Sequence, residues 1–250
     1  MKTYPFGSGR PDPASFPARA LADAAARVVP ELGDELAKYP GTLGYEPMRK
    51  VMAGRFERRE GMAMPVERTA LTTGSMQAVT LMAQYFVEKP GDVILLEEFS
   101  YSGTIGAYNK EGAKLVGVEI DAHGMKMDSL VEKIETCTKE GKKPKFIYAL
   151  VTYQNPTGSI MPIERRRELL DIANEHGIPI VEDHCYADTV YDDDHVPALI
   201  TLDHEATVLH IESFSKILGP GVRLGCFTGP EPHFSEILSL RRDGGPSTLN

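Results

Sequence analysis

The chain has 250 residues, 42% hydrophobic and 25% charged, with a formal net charge of −9 at pH 7. That composition describes an ordinary soluble globular protein, with room for one large domain and a small appendage. The acidic balance argues against a nucleic-acid surface as the main function, and no apolar run is long enough to span a membrane. The three cysteines, Cys137, Cys185 and Cys226, are odd in number and far apart. With no Cys-x-x-Cys, neither a zinc site nor a disulfide framework is indicated, and a reducing cytoplasmic compartment is expected. The N-terminus shows no signal peptide.

Residues 1–18 carry Gly7, Gly9, Pro11, Pro13 and Pro17, which predict an extended arm. Ala18 to Val29 is alanine-rich and predicts a short helix ending before Pro30. A glycine-broken loop from Tyr39 to Arg49 leads into a helix from about Pro47 to Glu60, stopped by Gly61. From there strands and helices alternate. Thr69–Thr73 reads as a strand, followed by a helix with Met76, Val79, Met82, Ala83 and Phe86 at helical spacing. Further strands are predicted at Val93–Leu96, Leu115–Ile120, Lys145–Val151, Ile178–Val181, Val208–Ile211 and Leu224–Thr228. Helices are predicted over 102–111, after Asp128 as a cap, and from Pro162 to Gly177. Arg165-Arg166-Arg167 in the last of these reads as a solvated face. The predicted fold is α/β, a doubly wound and mostly parallel sheet.

Ligands of such sheets bind beyond the carboxyl ends of the strands. Gly74-Ser75-Met76 lies between a strand and a helix, where free backbone N–H groups and a hydroxyl can hold an anion. Taken alone, Ser75 reads as an N-cap. No G-x-G-x-x-G follows any strand, which weakens a nicotinamide-enzyme reading. Tyr101, after the next strand, can stack on a flat ring or sit as an ordinary aromatic. Asn155 in Gln154-Asn155-Pro156-Thr157-Gly158 can set a turn or donate to a ring hydroxyl. Asp183 ends a strand, where a buried carboxylate needs a cation such as a protonated pyridine nitrogen, and Tyr186 follows three residues on. His184 and the run Asp192-Asp193-Asp194-His195 invite a metal reading, but the run reads as a solvated loop and no metal site is expected. Ser213, Ser215, Lys216 and Arg223 converge on a loop rich in Gly and Pro. A lysine there can act as a carbonyl nucleophile, and the hydroxyls and guanidinium suit a phosphate.

Five strings carry a resemblance: YPGTLGYEPMR (39–49), TTGSMQA (72–78), YQNPTG (153–158), VEDHCYAD (181–188) and SFSKILGPGVRLG (213–225). In that order they resemble the class I/II aminotransferases of the fold-type I enzymes that use pyridoxal 5'-phosphate (PLP), most of all the 2-aminoadipate and kynurenine branch. The resemblance implies that Lys216 holds PLP covalently and shuttles the substrate's proton, with Asp183 on the pyridine nitrogen and Tyr101 stacked on the ring as the other catalytic residues. It implies Asn155 and Tyr186 at the ring hydroxyl, and Ser75, the Met76 backbone, Ser213 and Arg223 at the phosphate. Tyr39 is implied to reach the partner's phosphate in a homodimer. Phe99 stands where the family commonly has Pro.

On this likeness residues 1–45 are an arm and linker, and 46–250 are a PLP-binding large domain incomplete at its C-terminus. The family's small C-terminal domain, with the arginine that grips the substrate's α-carboxylate, is expected to be missing. Residues 1–250 alone are then expected to bind PLP weakly and to turn over nothing. The expected activity is exchange of an amino group between an amino acid and a 2-oxo acid. The alternatives are the ligand-sensing module of a MocR-type transcription regulator, which the lack of a helix-turn-helix pattern in residues 1–40 disfavours, and a PLP-dependent lyase on the same scaffold.

Overall fold

The computed structural model describes residue 9, residues 12–190 and residues 195–241. The run 192–194 lies outside them. Helix α1 (Ala18–Leu32) runs through Pro30 rather than stopping before it. A proline in the last helical turn removes only one late backbone bond, so the helix continues until Gly33. Helix α2 (Glu46–Glu60) ends where expected, because Gly61 takes the left-handed conformation at φ +72°.

The alternating part begins with β1 (Thr69–Thr73), α3 (Ser75–Phe86), β2 (Val93–Glu97), α4 (Ser102–Lys110) and β3 (Lys114–Val118). A small hairpin of β4 (Ile120–Asp121) and β5 (Gly124–Met125) then precedes α5 (Met127–Lys139). The order continues with β6 (Phe146–Ala149), α6 (Ile163–His176), β7 (Ile180–Asp183), α7 (Leu199–Leu202), β8 (Val208–Ser213), β9 (Leu224–Thr228) and α8 (His233–Ser239). Lys126, not Asp128, occupies the cap position of α5. Asp128 sits inside the first turn, where its carboxylate accepts the Ser129 N–H.

Seven strands form one sheet in the order β1-β9-β8-β7-β6-β2-β3. Neighbours from β8 to β3 are parallel, while β9 runs antiparallel to both β8 and β1. All strands except β9 therefore point the same way. The carboxyl ends of β1, β2, β6, β7 and β8 meet along one edge, and β9 starts from that edge. Alternate side chains face opposite sides of a strand. Val93, Leu95, Ile147, Ile180 and Val208 pack beneath α5 and α6 on one face. Ile94, Leu96, Phe146, Val181 and Leu209 pack beneath α3, α4 and α8 on the other. Both faces are covered, as a mostly parallel sheet requires.

Two charged groups are buried against expectation. Arg166, read above as part of a solvated face, is fully buried. Its Nε donates to the Met161 carbonyl at 2.9 Å, and its Nη2 donates to the Val151 carbonyl at 2.9 Å and to Thr152 Oγ1 at 3.0 Å. Its Nη1 donates to the Pro197 carbonyl at 2.8 Å. One guanidinium thus ties the loop after β6 to the segment before α7, and its five donors explain why it lies inside.

The second group lies under α2. His210 Nδ1 is 2.7 Å from Glu182 Oε2, and its Nε2 is 3.3 Å from Glu212 Oε1. Arg59 on α2 donates to Glu212, to Glu60 at 2.7 Å and to Asp188 at 3.2 Å. Burial alone would lower the His210 imidazole, but Glu182 and Glu212 outweigh it and raise it to about 9. Burial works against Glu182 and Glu212 as carboxylates, yet His210, with Arg59 beside Glu212, holds both down to about 2. Glu182, His184 and His210 bring one possible ligand atom each within 4.8 Å of one another. Both ring nitrogens of His210 already face carboxylates, so the cluster is held together as an ion pair. This network fastens α2 to the ends of β7 and β8 and, through Asp188, to the turn after Tyr186.

Among the described residues, no helix is long and apolar enough to cross a membrane.

Candidate functional site

The strand ends border a cavity of about 660 Å³. Ser75, Met76, Tyr101, Asn155, Asp183, Tyr186, Ser213, Lys216 and Arg223 all line it. They come from segments up to about 150 residues apart in sequence, and the shared direction of the strands is what gathers them.

One part of the cavity is an anion cradle. Gly74 adopts φ +73° as β1 turns into α3, and a Cβ there would fall 2.4 Å from Arg223 Nη2. Arg223 itself is left-handed at φ +54°, a conformation that costs a non-glycine residue about 1–2 kcal/mol. Two bonds secure it: Nη2 donates to the Thr73 carbonyl at 3.2 Å, and Nη1 to the Pro220 carbonyl at 3.4 Å. Gly225 lies so close to the start of α3 that a Cβ would sit 2.9 Å from the Ser75 nitrogen and 2.7 Å from the Glu212 carbonyl. The Ser213 hydroxyl accepts the Ser215 N–H at 3.3 Å. The first N–H groups of α3, these hydroxyls and a guanidinium form a set suited to a phosphate.

Asp183, the last residue of β7, is 5% exposed. Its Oδ2 accepts the Tyr148 hydroxyl at 2.8 Å, while its buried Oδ1 has no hydrogen-bond partner. Burial pushes its carboxyl above the usual range, and bonds from Tyr148 and Cys185 pull it back. A buried carboxylate oxygen without a donor is expensive unless something brings it a proton or a charge. Glu97, at the end of β2, is also buried, and burial raises its carboxyl to about 8. It is therefore neutral at pH 7, so it adds no charge beside Asp183.

Asn155 Nδ2 donates to the Tyr186 hydroxyl at 3.2 Å. Burial pushes the Tyr186 phenol up to about 12. Lys216 Nζ lies 5.5 Å from the centre of the Tyr186 ring and donates to the Gly9 carbonyl at 3.1 Å. Tyr101 stands at the start of α4, 45% exposed. Its ring lies over Gly103, where a Cβ would come within 2.4 Å of it, so the glycine makes room for the ring. Tyr39 is 97% exposed and does not line the cavity.

The sequence reading missed Tyr148, Cys185, Ser100, Ser102 and Gly9, which also line the cavity. Tyr148 carried one usable signal. It shares a strand face with Phe146, two residues nearer the strand's carboxyl end, where a polar tip reaches the ligand edge.

A family profile described as aminotransferase class I and II matches residues 3–247. The chain is 35% identical to 2-aminoadipate transaminase of Thermus thermophilus over 242 residues, 96% of this chain and 58% of that protein. It is 33% identical to aromatic-amino-acid aminotransferase 1 of Thermococcus litoralis over 239 residues, 95% of this chain and 56% of that protein. Among solved structures, an archaeal alanine:glyoxylate aminotransferase superposes with a TM-score of 0.89 at 32% identity, covering 96% of this chain and 58% of its own. The chain thus spans a little over half the length of the relatives it matches. It belongs to the class I and II aminotransferases.

Proposed function

We propose that the protein binds PLP and transfers an amino group between an amino acid and a 2-oxo acid. The observation that carries this is Asp183 Oδ1, buried and without a partner in the cavity that also holds Lys216 and the anion cradle. The residues present fit the cofactor. The cradle of Ser75, the Met76 backbone, Ser213 and Arg223 suits its phosphate. Asp183 Oδ1 suits its protonated ring nitrogen, the Asn155–Tyr186 pair its ring hydroxyl, and Tyr101 its face. Lys216 supplies the amine that joins its aldehyde.

When bound, PLP supplies the electron sink for a carbanion at the substrate's α-carbon. The chain's own groups do the rest. Lys216 Nζ would take the proton from the substrate's α-carbon as general base and give it back as general acid. Asp183 Oδ1 would pair with the ring nitrogen and favour its protonated form. Asn155 and Tyr186 would hold the ring hydroxyl and Tyr101 would pack on the ring face, positioning the substrate for Lys216.

Within this reading residues 1–45 act as an arm, and the exposed Tyr39 reaches a second copy in a homodimer. Residues 46–250 are the cofactor domain. The free thiols Cys137, Cys185 and Cys226 suit a cytoplasmic setting.

The test is turnover of the purified full-length protein with PLP, glutamate and a panel of 2-oxo acids, with residues 1–250 alone, expected to turn over nothing, measured beside it. The expected result is PLP-dependent formation of 2-oxoglutarate together with the new amino acid. Release of ammonia or carbon dioxide in its place would identify a lyase. PLP binding with neither outcome would favour a sensor.

A further inference from the structure

Tyr148 gives Asp183 its strongest hydrogen bond, ahead of Cys185 two residues on, and its geometry assigns it more than a packing role. It stands on β6 in register with Val181 of β7, 1% exposed. Its ring meets the Tyr108 ring edge-on, with centroids 5.7 Å apart. Its hydroxyl lies 2.8 Å from Asp183 Oδ2 and 3.3 Å from Thr104 Oγ1. A carboxylate can only accept, so the single Tyr148 proton goes to Asp183, and the Thr104 hydroxyl then donates to Tyr148. Thr104 is fully buried on α4, so no water competes for this chain of donors. The chain ends on one oxygen of Asp183 and leaves the other bare.

We infer that Tyr148 is a positioning residue: by holding Oδ2, it orients the Asp183 carboxylate so that Oδ1 alone meets the ring nitrogen of the cofactor. The inference rests on the PLP reading. Without the Tyr148 bond the carboxylate is free to turn about its last torsion, which is broad and two-fold. It also loses the strongest pull that keeps it ionised in a buried site. The other titratable groups around it do not replace that bond. Glu97 on β2 is neutral at pH 7. The Tyr108 hydroxyl on α4 has no partner. His210 on β8 acts through its charge, the Cys185 thiol and N–H each pull less than Tyr148, and Tyr186 is bonded to Asn155.

The experiment has two readouts. The first is the titration of Asp183 in cofactor-free protein, followed by carbon NMR of labelled aspartate carboxyls and assigned with Asp183→Asn. Tyr148→Phe is expected to raise the Asp183 midpoint by about one pH unit, tenfold in proton affinity. Tyr108→Phe, which removes a hydroxyl that bonds nothing, is expected to leave it in place. The second readout is the nitrogen NMR shift of ring-labelled PLP added to each protein. Tyr148→Phe is expected to lower the protonated fraction of the ring nitrogen at neutral pH. If Tyr148→Phe fails to fold, Thr104→Val removes only the upstream donor and is expected to shift the midpoint the same way by less. A bound ring with an unmoved Asp183 midpoint overturns the role of Tyr148 alone. No ring signal in the wild-type protein overturns the cofactor reading itself.

Discussion

In the full-length protein Asp183→Asn will lower turnover by about 10²–10³-fold, the usual cost of removing one preorganised electrostatic group, while PLP affinity changes by less than about tenfold. The substitution keeps the size of the side chain and removes only its charge. The Tyr148 hydroxyl, 2.8 Å from Oδ2, will go on donating to the remaining amide oxygen. The new amide nitrogen then takes the place of Oδ1. It presents an N–H to the ring nitrogen, which can accept that bond only when unprotonated. The electron sink is weakened at its far end while the phosphate cradle, built from β1, α3, β8 and β9, is untouched. Single-turnover kinetics and a PLP titration separate the two effects. Turnover within a few-fold of wild type would mean that another acid holds the ring nitrogen.

His210→Phe will destabilise the fold by about 3–5 kcal/mol at pH 6, the usual cost of removing one partner from a buried ion pair. For a chain of this size that lowers the melting temperature by about 6–20 °C. Glu182 and Glu212 are left facing an apolar ring. Glu212 keeps Arg59, but Glu182 keeps only the N–H groups of Leu199 and Ile200. The pH dependence of the wild-type protein follows from the same groups. His210 titrates at about 9 when folded, against an ordinary imidazole near 6.5. Its contribution is therefore complete below about pH 6.5 and is lost as pH rises through 9. Glu182 and Glu212 are held at about 2 against 4.5, so their contribution is complete above 4.5 and is lost as pH falls through 2. These three groups by themselves give a plateau from about pH 4.5 to 6.5; Glu97, raised to about 8, adds its own fall as pH rises from 4.5 to 8, so His210→Phe should lessen the alkaline fall without removing it. Chemical denaturation across that range is the check. A loss below about 1 kcal/mol would show that the imidazole is not charged in the folded protein.

The strand ends were readable because apolar runs bounded by Gly, Pro and Asn set them, and the residues that line the cavity follow those ends directly. The reversed direction of β9 was also readable in principle. Residues 214–223 are too few for the crossover that a parallel neighbour needs. What the pattern could not give is which distant polar groups meet. The strand predicted over Val208–Ile211 runs on to Ser213. Glu212 breaks its apolar pattern, yet is buried because Arg59, 153 residues earlier, and His210 neutralise it. Arg166 misled for the same reason, since all but one of the acceptors named above are backbone carbonyls that carry no side-chain signature. Tyr148 looked like any strand aromatic because its partner, Asp183, lies 35 residues on. Local pattern fixes elements; tertiary contact decides which charges they can bury.

Whether Lys216 carries the cofactor is decided by borohydride reduction. Reduction fixes PLP on whichever amine holds it, and peptide mapping then locates the label. Adding PLP is expected to give a visible absorbance band, lost on reduction, with the label on Lys216 and none in Lys216→Ala. A label on another lysine, such as Lys110 or Lys145, or undiminished labelling of Lys216→Ala, would contradict it.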